Sequence, residues 1–140
     1  MPDIPLVPTH WHFPARLASV GRARHAVPQA LPTGLRRCLG DDLSLLTSEL
    51  VTNAIRHGTH QQDERVDLVL WPADGHYWIA VSDPGTAASN AVPAPRSLDV
   101  DGETGRGLLL VDRLAAAWTI RPRPVRGVSV VAGLPLHRDG

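Results

Sequence analysis

Leu46-Thr47-Ser48-Glu49-Leu50-Val51-Thr52-Asn53-Ala54-Ile55-Arg56-His57-Gly58 carries two patterns at once. Leu43, Leu46, Leu50 and Ala54 recur at spacings of three and four, which makes one apolar stripe on a helix. Glu49, Asn53, Arg56 and His57 follow the same spacing on a bordering face. The stretch therefore reads as the last three turns of a helix. Asp41 or Asp42, just after Gly40, can accept from the free N–H groups of a first turn, which sets the expected start near Asp41–Leu43. Gly58 stands where a left-handed residue would close the helix.

The second face does not have the composition of a solvated one, in which Glu and Lys alternate. A carboxylate is followed one turn later by a neutral amide, then by a cation and an imidazole. Asn53 can offer a hard carbonyl oxygen to Mg²⁺, which takes oxygen ligands. Glu49 can accept a proton from an attacking hydroxyl or water. A surface helix of mixed polar residues is the plain alternative.

The rest of the chain restricts the chemistry. All fourteen basic residues are arginine, balanced by 14 Asp and Glu, so the formal net charge is zero. No broad field draws the chain to nucleic acid or to an anionic membrane. Without lysine there is no Walker-type lysine and no Schiff base, and a nucleotide site must use backbone N–H groups, Mg²⁺ and arginine. Cys38 is alone, which excludes an internal disulfide and suggests a reducing cytoplasm. No apolar run is long enough to span a bilayer, and Met1-Pro2-Asp3-Ile4 lacks the features of a signal peptide.

At 140 residues the chain is expected to form one domain over 10–136, with a flexible lead-in at 1–9 and a frayed end at 137–140. His10-Trp11-His12-Phe13 reads as a short edge strand before Pro14. His10 and His12 would share a face there. His-x-His can bind a metal, but no third ligand lies nearby in sequence, so a partly exposed strand with two imidazoles is the plainer reading.

Residues 17–38 supply a first helix, with a kink or break near Pro28. Arg65–Trp71 and His76–Ser82 alternate and flank Pro72-Ala73-Asp74-Gly75, which predicts an antiparallel hairpin. Residues 83–104 hold three prolines and no periodicity, as expected of a functional or disordered loop. Gly107–Ala117 reads as a helix, and Trp118–Arg123 and Val128–Leu134 as strands.

Two further stretches bear on the Glu49/Asn53 helix. Asp83-Pro84-Gly85 ends an apolar strand, and Gly105-Arg106-Gly107-Leu108 opens a helix with free N–H groups that suit an anion. In this order the three stretches resemble the nucleotide-binding boxes of the GHKL-type, histidine-kinase-like ATPase superfamily. The short chain looks most like its anti-sigma-factor serine kinase branch. The resemblance spans roughly residues 10–136.

It implies a Bergerat-type fold, an α/β (α+β) two-layer sandwich whose mixed, mostly antiparallel sheet is covered on one face by about three helices. It implies ATP and Mg²⁺ as cofactors, with Asn53 on the metal and Glu49 as the catalytic base. Asp83 would accept from the adenine amino group, and Gly85 would let the backbone approach the ring. Gly105, Arg106, Gly107 and Leu108 would face the phosphates. His57 falls at the helix-ending position near them, and Ser129 would help to hold adenine through its hydroxyl. Residues 83–104 would form the lid.

The partners implied are a sigma factor and an anti-anti-sigma protein phosphorylated on serine, with no direct nucleic acid and no membrane. Homodimers through the first strand and helix also occur in the family. One departure stands out: where the family has a second glycine two residues after the first, this chain has Gly85-Thr86-Ala87. A binding module that holds ATP without transferring phosphate is therefore the alternative reading. A histidine-based metal hydrolase is a weaker third.

Overall fold

A computed structural model of the chain describes residues 8–58, 64–84, 111–122 and 127–136, with only the backbone for 57 and 58. The expected two-layer sandwich forms. A five-stranded sheet in the order β1-β2-β3-β5-β4 is built from β1 (Thr9–Pro14), β2 (Arg65–Ala73), β3 (His76–Ser82), β4 (Ala117–Pro122) and β5 (Val128–Pro135). Every described pairing is antiparallel. Helices α1 (Ala18–Gln29) and α2 (Thr33–Gly58) and a helical turn at 111–114 supply the second layer.

The helices depart from expectation at their boundaries. α2 does not start at Asp41; it begins at Thr33 and runs 26 residues through Gly34 and Gly40. Pro32 opens it, because its carbonyl accepts from Leu35 and Arg36, while a proline at that place lacks only an N–H the helix would leave unpaired. The stripe extends back through Leu39, which is buried with Leu43, Leu46 and Leu50. That burial outweighs the roughly 1 kcal/mol that each helical glycine costs.

Pro28 does not break α1 either; it lies in its last turn. A proline cannot donate to the carbonyl four residues back, which here belongs to Arg24. Ser44 of α2 donates its hydroxyl to that carbonyl at 3.4 Å. Arg36 donates to the carbonyls of Gln29 and Leu31 at 2.9 and 3.3 Å, fastening the link between the helices. The helix expected over Gly107–Ala117 ends early, since Ala117 already belongs to β4.

The β2–β3 hairpin is tighter than expected. β2 runs on through Pro72 and Ala73, and only Asp74 and Gly75 turn, with φ of 53° and 71°. Positive φ at both positions is the primed turn that matches strand twist. Pro72 fits because it lies past the last β1 pairing, Thr9 with Leu70.

α1 and α2 pack side by side, and α2 lies across β3 and β5. Val66, Leu68, Ile79, Val81 and Leu134 cover the inner face of the sheet and are almost fully buried. On the outer face the Trp78 ring lies over Gly133, where an added Cβ would come within 2.7 Å of it. Leu46 is fully buried in the core. Leu46→Ala is expected to cost about 2–5 kcal/mol, read as a lower urea midpoint at unchanged slope.

Candidate functional site

The sheet register decides what can meet. Asp67 pairs with Ser82, so the start of β2 and the end of β3 lie at one end of the sheet. α2 feeds β2 through residues 59–64, which brings its C-terminal turns toward the same end. Leu50, Val51 and Ala54 are buried there against the sheet. Glu49 and Asn53, one turn apart, border that contact and are half-buried.

Asn53 has a specific signature. Its Nδ2 is sealed from solvent and has no hydrogen-bond partner. A buried polar atom without a partner is costly. The amide can be turned to place either terminal atom there, since the two are nearly isosteric. A carbonyl oxygen on such an amide suits Mg²⁺, so the residue fits the ion implied by the sequence. The hydroxyl of Thr47, also on α2, is a second buried polar atom without a partner.

Asp83 is buried directly after β3 and follows Val81 on the inner face. Its backbone N–H donates to the Val128 carbonyl at 3.0 Å. The Val128 N–H donates to Oδ1 of Asp83 at 3.4 Å. The side chain thus stands in for a backbone carbonyl at the end of the ladder, which fixes the carboxylate at the mouth of the strand pair. A carboxylate has about four lone-pair sites, so it retains capacity for a further donor such as an amino group. Gly127, with φ of 87°, delivers the Val128 N–H to it.

Ser129 does not join this group. It pairs with Ser82 in register, and the two hydroxyls lie 2.6 Å apart. Both residues are one position out of phase with Asp83 and belong to the outer face. The expectation that Ser129 helps to hold a purine does not fit this placement. The residue opposite Asp83 on the helix-covered face is Val128, which has no hydroxyl. An alternating strand read without its partner does not reveal which set points inward. Burial of Ala132 and Leu134, in phase with Val130, decides it in the structure.

Gly85, Gly105, Arg106, Gly107, Leu108 and the loop from 85 lie outside the described residues, as does the side chain of His57. Among the described residues, no helix is long and apolar enough to cross a membrane.

Residues 13–131 match the family profile described as the histidine kinase-like ATPase domain. An uncharacterised protein of Streptomyces coelicolor, SCO4941, is 33% identical over 76 residues, which is 54% of this chain and 70% of that protein. A chain in the crystal structure of the SiaB–SiaC complex from Pseudomonas aeruginosa superposes with a TM-score of 0.58 at 17% identity. The superposition covers 94% of this chain and 89% of that one.

Proposed function

The chain belongs to the histidine kinase-like ATPase family, and from that premise we propose that it is an ATP- and Mg²⁺-dependent protein-serine kinase of the anti-sigma type. In this reading it phosphorylates an anti-anti-sigma protein and sequesters a sigma factor. The observation that carries the proposal is the pairing on α2 of a half-buried Glu49 with Asn53, whose Nδ2 is sealed and unpartnered, on turns that lead to the end of the sheet where Asp83 sits.

Each residue has one task. Asp83 accepts from the exocyclic amine of adenine. Asn53 would hold Mg²⁺, which when bound neutralises charge on the phosphates. Glu49 takes the proton as the serine oxygen bonds to the γ-phosphorus and the bond to the ADP oxygen breaks. Positioning and charge neutralisation carry most of the rate in such transfers. That the solved structure of similar fold is a complex of two proteins supports a protein substrate or partner.

The second reading, a module that binds ATP without transferring phosphate, is favoured by Gly85-Thr86-Ala87 and by Val128 opposite Asp83. One experiment separates the two. Incubation with radiolabelled ATP, Mg²⁺ and candidate anti-anti-sigma proteins is expected to label the partner on serine. Glu49→Gln is expected to keep nucleotide affinity within about twofold and to lower transfer by about 10²–10⁴-fold, the usual worth of a general base. Transfer that persists in Glu49→Gln removes Glu49 from that role. Binding without any transfer in the native chain selects the second reading.

A further inference from the structure

The outer face of the sheet holds a second group of side chains with no part in the nucleotide chemistry. His10 and His12 are both exposed on the edge strand β1, with ring centroids 4.3 Å apart. β1 pairs with β2 over six positions, and His12 lies opposite Asp67. Nδ1 of His12 and Oδ1 of Asp67 are 2.5 Å apart. One ligand atom from each of His10, His12 and Asp67 lies within 4.8 Å of the other two. The third ligand absent from the local sequence is thus supplied across the strands, 55 residues away.

We propose that His10, His12 and Asp67 form a binding site for a divalent transition ion of the zinc class, which clips the edge strand β1 to β2 and leaves the remaining coordination position to water. Two imidazole nitrogens and one carboxylate oxygen suit Zn²⁺, Co²⁺ or Ni²⁺ better than Mg²⁺ or Ca²⁺, which take oxygen ligands. Bonds of about 2.0–2.1 Å place tetrahedral donors roughly 3.4 Å apart. The donors already lie within 4.8 Å of one another on two strands that the ladder holds in register. The hydrogen bond from His12 to Asp67 and the edge-to-face contact of the His10 and His12 rings already hold the three side chains on one face, and an ion would draw their donors together. Asp67 pairs with Ser82, immediately before Asp83, yet on the opposite face. The ion and the nucleotide therefore would not share ligands.

The test uses the full chain without an affinity tag, titrated with Zn²⁺ by calorimetry and with Co²⁺ by visible absorption. One ion per chain is expected. His10→Ala, His12→Ala and Asp67→Asn are each expected to weaken binding about tenfold or more. Zn²⁺ at a hundredfold excess over its Kd is expected to raise the native Tm by about 5 °C or more, with little effect on His10→Ala. Cys38→Ser is expected to bind as the native chain does, and His10→Ala to bind ATP unchanged. Native-like Zn²⁺ affinity in His10→Ala or Asp67→Asn, loss of binding in Cys38→Ser, or no binding at 100-micromolar-order Zn²⁺ would each overturn the site.

Discussion

Asp83→Asn is expected to weaken ATP binding by about a hundredfold or more while the domain stays folded. The substitution is chosen for its geometry. Oδ1 of Asp83 accepts from the Val128 N–H, and an asparagine keeps an oxygen for that contact. Its other atom becomes an NH₂ group, which in the proposed pose would meet the adenine amine as donor against donor. A site built to accept a hydrogen bond loses that bond and gains an unpaired buried donor, together worth about 3 kcal/mol or more. Fluorescent-nucleotide titration measures the loss, and thermal melting shows whether the β3–β5 end survives. Unchanged affinity in a folded Asp83→Asn protein would remove the adenine role. If the protein melts far below the native chain, the carboxylate is chiefly a strand clamp.

Asn53→Ala is expected to abolish the Mg²⁺-dependent part of ATP binding, again by about a hundredfold or more, and to leave Mg²⁺-free binding nearly unchanged. Glu49, one turn away on α2, is assigned to the proton in this reading, so Asn53 supplies the side-chain ligand to the ion. The effect on stability separates this from a structural role. Nδ2 of Asn53 is buried and has no partner, so removing it deletes an orphan donor rather than a bond. The variant is therefore expected to stay within about 1 kcal/mol of the native chain in urea, or to gain slightly. Calorimetry with ATP, with and without Mg²⁺, reads the first effect. Equal Mg²⁺ dependence in the variant would mean that the ion is held elsewhere.

The structure also shows where local reading stops. The β2–β3 hairpin was legible because Asp74-Gly75 accepts positive φ and the flanks alternate. The Glu49/Asn53 face was legible because helical spacing is local. The start of α2 was not. Gly40 with Asp41 and Asp42 imitates a capped N-terminus, and only burial of Leu39 and Leu43 beneath the sheet carries the helix through it. Pro28 imitates a helix break, and only Ser44 from the neighbouring helix offers a donor for the Arg24 carbonyl. The face that Ser129 joins was not legible either, because one residue of phase along a strand moves a side chain to the other face.

By itself the sequence determined the identity of the elements, the antiparallel hairpin and the chemical character of the α2 face, because spacing, turn geometry and side-chain type act over a few residues. Tertiary structure alone decided which sheet face each strand residue joins, that Asp83 is clamped by the Val128 N–H, and that Asp67 meets His10 and His12. Those outcomes depend on register between segments far apart in the chain. Register is set by burying one whole face of the sheet beneath α2, a condition that no short stretch contains.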